Sequence, residues 1–304
     1  MMKLIKNLGG MFFLNLFFIS VFMIGHRTYA DVPKIEKEAL IELYEKTNGK
    51  DWNNVWDLNK PVTNWYGVTV KNDVVVKVNL FHNNLTGVLP SSIGNLKNLA
   101  ELNLAFNQLT GVLPEQISSL EKLIVLKLEM NRLKGSLPVN LGKMTQLQEL
   151  TLFNNFLSGA IPNSIGVLKS LRILNLSSNN FKGSIPISIG KLENLESLGL
   201  FENKLEGTMP VEFGNLVKLK ELVLANNHLE GAIPKELGQL ASLEIFQIQN
   251  NGFNSFEDIN AIKTNSLLVF DFDKDKIKTS PQFKVIDVYN TRMADTKFED
   301  DNDK

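Results

Sequence analysis

Three histidines, 33 carboxylates and no cysteine are what this 304-residue chain could bring to acid–base, nucleophilic or metal chemistry. The missing cysteine removes thiolate nucleophiles, thiolate metal ligands and disulfides together. Beyond residue 30 only His82 and His228 remain, and neither sits in a recognisable acid or nucleophile motif. Retaining glycoside hydrolysis would need two carboxyls ~5 Å apart in a cleft. Glu101, Glu149 and Glu221 are instead separated by multiples of 24 residues, so their recurrence is architectural and not a solitary constellation. The glycines are periodic too, which leaves no phosphate-cradling loop. The reading is of a protein that is not an enzyme and has no cofactor and no catalytic or metal residues.

Binding chemistry is better represented. Phe81, Phe153 and Phe201 fall in the same 24-residue register, with Phe106 one position off it. Large aromatics at solvent positions anchor interfaces, because a packed ring removes much apolar area from water. The competing reading is that each ring folds over its neighbours and covers the strand ends, since single exposed apolar residues are ordinary. The glutamate column reads either as a site for a basic ligand or a cation, or as a solvated polar face. A metal would need several oxygens converging on one point. The candidate ligand-binding set is Phe81, Phe106, Glu129, Glu149, Phe153, Phe201 and Glu221.

The elements that must position these residues follow from the repeat. Asparagine recurs at Asn83, Asn107, Asn131, Asn155, Asn179, Asn203, Asn227 and Asn251, each step being 24 residues. Glycine keeps register from Gly87 to Gly231 and proline from Pro90 to Pro234. A fixed period of this length marks a solenoid, in which one unit cannot bury its apolar face alone and stacked units share a continuous core. In the unit Leu99 to Lys122, Leu99, Leu102 and Leu104 predict a short strand with one buried face. Asn107 turns inward, where its amide can satisfy backbone groups left unpaired by the turn. Leu109, Leu113, Ile117 and Leu120 complete the interior. Pro114 fixes φ and prevents a regular second strand there, leaving an extended or 3₁₀-like return.

These residues resemble the plant-type leucine-rich-repeat family, whose consensus is LxxLxLxxNxLxGxIPxxIGNLxx. Leu85 to Leu96 (LTGVLPSSIGNL) follows it nearly residue for residue, and the likeness extends from about Val75 to Asn251. The resemblance implies an α/β repeat solenoid: a right-handed curved array with a concave parallel β-sheet and a 3₁₀ or irregular convex side. It also implies recognition of proteins, peptides or glycans through the concave face, as in receptor ectodomains and polygalacturonase-inhibiting proteins. Thr63 to Val70 (TNWYGVTV) resembles the family's N-terminal cap motif CxWxGVxC, with Thr63 and Val70 at the cysteine positions. That departure hints at a bacterial relative in which tryptophan packing survives and the disulfide does not.

The ends divide as follows. Residues 1–30 read as a signal peptide, with Lys3 and Lys6 ahead of the apolar Met11 to Gly25 and small residues at Thr28 and Ala30. The apolar run is shorter than the ~20 residues of a spanning helix, which favours cleavage over a retained anchor. Residues 31–74 form a helical and tryptophan-bearing cap, 75–266 the repeats, 267–290 a degenerate last rung and C-terminal cap, and 291–304 a mobile acidic tail. Three of the 32 basic residues and none of the acidic ones precede Asp31, leaving 29 against 33. That balance argues against a nucleic-acid or anionic-membrane partner. The expectation is a secreted or envelope-located, non-catalytic scaffold with no membrane span after cleavage, binding a protein or peptide on its concave face. A glycan-binding module on the same phenylalanine-lined face and a structural or adhesive spacer are the alternatives.

Overall fold

The computed structural model describes residues 32–255, 262 and 267–273. The signal peptide and the acidic tail expected from the sequence lie outside the described residues, as does most of the C-terminal cap. Among the described residues no helix is long and apolar enough to cross a membrane.

The solenoid is built on a ten-stranded sheet. An antiparallel pair, Val68–Lys71 and Val74–Asn79, starts it. Eight parallel three-residue strands follow, from Glu101–Asn103 to Val269–Asp271. Every parallel pairing joins residue i to residue i+24, as in Lys77 to Glu101 and Ile173 to Ser197. The sequence period is thus the rise of one rung.

The asparagine column behaves as its chemistry demands. Asn107 Oδ1 accepts the Asn83 and Leu85 amides at 3.0 and 2.9 Å. Its Nδ2 donates to the carbonyls of Leu80, Leu104 and Ala105. The same pattern repeats to Asn251. Each side chain therefore ties its own turn to the rung before it, in a place closed to water. Just ahead of each asparagine, the residue adopts left-handed φ, from His82 (48°) through Phe106 (57°) to Asn250 (56°). This conformation costs a non-glycine residue about 1 kcal/mol and persists because the ladder over-determines the turn.

A second sheet was not expected. Short strands leave each asparagine on the convex side, in a six-stranded group from Lys134–Gly135 to Gly252–Ser255 and a pair formed by Thr86–Val88 and Gln108–Thr110. Proline does bar a strand at its own position, but the strand ends before it. The glycine inside it, at φ between 77° and 89° from Gly87 to Gly231, supplies the turn that a Cβ would strain. Pairing here is i to i+22, as in Thr86 to Gln108 and Lys182 to Lys204, so adjacent convex strands are staggered by two residues while the concave strands stack in register. Each proline except Pro138, whose 3₁₀ turn starts after Asn140, then opens a 3₁₀ turn such as Ser91–Asn95 or Ile187–Lys191.

The N-terminal cap is aromatic. Helix Lys34–Lys46 packs Leu40 and Leu43 into the first rung. Its buried Glu36 accepts the Val75 amide at 2.7 Å. Trp52, Trp56 and Trp65 are all buried, and Trp56 stacks on Trp65 at 4.8 Å.

Candidate functional site

Outward positions on the concave strands were expected to be solvated, and several are not. Ala105, Glu129, Met130, Thr151, Ser177 and Ala225 are buried. Seventh in each unit, the column reads Phe81, Ala105, Glu129, Phe153, Ser177, Phe201, Ala225, Gln249, so a large ring is followed by a small residue three times. Phe153 and Phe201 are only part-exposed, and the small residues after them are closed from water. The central rings are thus less open to solvent than a free concave face would leave them.

The two N-terminal rings differ. Phe81 is 48% and Phe106 40% exposed, with ring centroids 5.2 Å apart. Phe106 reaches its partner because its left-handed backbone swings it out of the strand. The exposed His82 ring lies 6.1 Å from Phe81. Beside them the antiparallel hairpin leaves a depression of about 610 Å³, lined by Tyr66, Val68, Lys77, Asn79, Phe81 and Asn103. Tyr66 is 49% exposed. It was missed as a site residue because it belongs to the cap, where no repeat position marks it. The same hairpin sets its direction, since Asn79 N donates to the Gly67 carbonyl at 2.8 Å.

The carboxylates are engaged. Glu101 pairs with Lys77 at 2.9 Å and Glu149 with Lys127 at 2.7 Å, each lysine coming from the preceding rung. Glu221 accepts the Ser197 hydroxyl at 2.8 Å. Glu129 is buried and accepts the Thr151 hydroxyl at 2.6 Å, so it is not a free surface carboxylate. Among the described residues no group of three or more His, Asp or Glu side chains could hold a metal ion.

Burial pushes the Glu129 carboxyl above its usual range, against the opposing pull of the Thr151 hydroxyl, its own amide and Lys127. The raised value means the folded state holds the proton more tightly than the unfolded chain, whose glutamate titrates near ~4.3. That contribution to stability is complete below the unfolded value and is lost as pH rises through the folded one. Glu129→Gln should therefore raise the unfolding free energy obtained from urea melts at pH 7, by no more than about 1 kcal/mol. The difference should vanish near pH 4; an equal gain at both pH values would mean that charge burial is not its cause.

The family described as Leucine rich repeat matches residues 74–133 and 145–205, and a further Leucine Rich Repeat match covers 218–240. The chain thus carries leucine-rich repeats over these residues. Among solved structures it is similar to the Arabidopsis receptor kinase HAESA in complex with the peptide hormone IDA and the co-receptor SERK1. Identity there is 31% over 76% of this chain and 40% of that one, with a TM-score of 0.68. It is similar to the plant peptide hormone receptor RGFR1 in complex with RGF2, at 36% identity, 65% and 32% coverage and a TM-score of 0.63. It is also similar to a leucine-rich-repeat protein of Leptospira interrogans, at 40% identity, 63% and 47% coverage and a TM-score of 0.53. The chain spans less than half the length of each of these proteins. No curated protein sequence matches it.

Proposed function

We propose that this protein is an exported, non-catalytic scaffold that binds a protein or peptide on its concave face, with the contact centred on Phe81, Phe106 and Tyr66. The observation that carries this reading is the exposed Phe81–Phe106 pair, 5.2 Å apart beside a depression that Tyr66 helps to line. Adjacent rings held by backbone provide apolar area with little side-chain entropy to lose on binding. Lys77, in its ion pair with Glu101, and Asn79 line the depression and supply polar groups to orient a ligand. Peptide ligands in the HAESA and RGFR1 complexes agree with this class of partner. Phe153, Phe201, Glu149 and Glu221 extend the face toward the C-terminal end, in a supporting role.

The test is a pull-down from envelope and extracellular extracts. Phe81→Ser/Phe106→Ser should lose the captured partner, with affinity falling at least about 100-fold for hot-spot rings. Phe153→Ser/Phe201→Ser should weaken capture less than about tenfold. Equal capture by the first, correctly folded variant and the wild type would overturn the site. Release of the partner by soluble neutral polysaccharide would move the reading to glycan binding.

A further inference from the structure

Charge is not spread evenly over this molecule. Where the chain leaves each 3₁₀ turn for the concave sheet stand Lys97, Lys122, Lys143, Lys169, Lys191 and Lys218 on six consecutive rungs, Lys143 and Lys191 ending their turns and the others in the loops that follow. All six are exposed. Only Glu121 and Glu193 oppose them within residues 94–98, 118–122, 142–146, 166–170, 190–194 and 214–218, so this flank carries an excess of four positive charges. The chain beyond residue 30 has the opposite balance, 29 basic against 33 acidic residues.

The flank's bonding keeps that charge unneutralised. Lys122 Nζ donates to Asn98 Oδ1 and Lys218 Nζ to Asn194 Oδ1, both at 2.7 Å, and Lys169 Nζ to the Lys191 carbonyl at 2.6 Å. These partners are neutral groups on the neighbouring rung, and among the described residues none of the six lysines is in an ion pair. The pattern contrasts with the concave face, where Lys77 and Lys127 are each held by a glutamate. Lys169, Lys191 and Lys218, against the single carboxylate of Glu193, surround a depression of about 570 Å³, to which Asn194, Asn215 and Gln239 bring amides.

We propose that this lysine-lined flank is a second binding surface, independent of the concave face, for a linear anionic polysaccharide running along the stack. Rungs rise by ~4.8 Å, so the ammonium groups form a row suited to a polymer with regularly repeating carboxylates or sulfates. The amides between them match the hydroxyls that such a polymer carries and a polypeptide backbone does not. The arginine in these loops, Arg172, is held by Glu196 at 2.8 Å, so its guanidinium is already paired with a carboxylate and is not a free fork for phosphate. No aromatic stands there, so the stacking platform of single-stranded nucleic acid is missing.

Affinity electrophoresis of the protein through gels containing alginate tests the proposal, with neutral dextran, poly-L-glutamate and single-stranded DNA as comparators. Alginate should retard the protein at low ionic strength, dextran should not, and 0.5 M salt should abolish the effect, where the Debye length falls to only a few ångströms. Replacing Lys143, Lys169, Lys191 and Lys218 with glutamine should reduce alginate affinity at least about tenfold while leaving the thermal midpoint unchanged. Phe81→Ser/Phe106→Ser should leave it intact, which separates this surface from the concave one. Absence of retardation by alginate overturns the proposal, as does equal retardation of the lysine variant. Binding of poly-L-glutamate or single-stranded DNA as tight as that of alginate overturns the assignment to a glycan.

Discussion

Asn179→Ala should cost about 3–5 kcal/mol of stability, although it removes only one small side chain. Asn179 Nδ2 donates to the Leu152, Leu176 and Ser177 carbonyls at 3.0, 3.2 and 3.0 Å, and its Oδ1 accepts the Leu157 amide at 3.0 Å. The Ser177 carbonyl keeps the Asn154 amide after substitution. The Leu152 and Leu176 carbonyls keep the Asn155 and Asn203 side-chain amides, so the Leu157 N–H alone is orphaned in a place closed to water, at about 1–3 kcal/mol, and each further hydrogen bond lost adds about 0.5–1.5 kcal/mol. The methylene and amide also leave a void that the turn, held in left-handed φ at Ser178, cannot readily close. Asn163→Ala, on the exposed convex turn, is the control and should stay within about 0.5 kcal/mol.

Position within the array adds a second signature. In a solenoid each rung is stabilised by its two neighbours, so a fault in the middle uncouples the halves. Asn179→Ala should broaden the urea transition seen by circular dichroism or split it in two. A single sharp transition shifted by less than about 1 kcal/mol would mean that water replaces the amide and that the ladder is not the main tie between rungs.

The asparagine column was legible because the same chemistry is imposed on every unit, so one residue type survives at one spacing. The leucine strand, the inward turn and the proline-led 3₁₀ return follow from the same repetition. The convex strands were hidden by their length and composition. Gln108–Thr110 has a single buried residue between two exposed ones, which one unit read alone does not distinguish from a loop. Only stacking of neighbouring rungs gives those backbones partners. The concave face was misread for a related reason. Pleat alternation sends Glu129 and Ser177 to the outer side, but whether a side chain there meets water depends on the residues 24 positions away. Phe153 and Phe201 stand beside a small buried residue and are part-exposed, whereas Phe81, also beside a buried alanine, meets the Phe106 ring at 5.2 Å and stays exposed. The site is thus set by pairs of rungs, and Tyr66 by a cap that lies outside the period altogether.

The largest effect after the ladder should come from that cap. Trp56 is 3% exposed and lies edge-on to Trp52 at 4.9 Å, parallel to Tyr44 at 6.1 Å and stacked on Trp65 at 4.8 Å. Its indole N–H donates to the Tyr66 carbonyl at 2.8 Å. The resembled cap motif has cysteines where this chain has Thr63 and Val70, so the aromatic cluster must close the first rung by packing alone. Trp56→Ala should cost about 3–5 kcal/mol, whereas Trp56→Phe keeps part of the contact and should cost roughly half as much. All three tryptophans of the chain lie in the cap, so their emission reports on it while circular dichroism reports on the whole array. In Trp56→Ala the fluorescence transition should precede the circular-dichroism transition in urea, because the repeats retain their own ladder. The loss should also reach the binding face, since the Tyr66 backbone that Trp56 holds carries one wall of the Phe81 depression. Partner capture should therefore fall in urea below the main transition, at the concentration where cap fluorescence changes. Coincident transitions with full capture up to the main one would show that the array needs no aromatic lid and that the site lies elsewhere on the sheet.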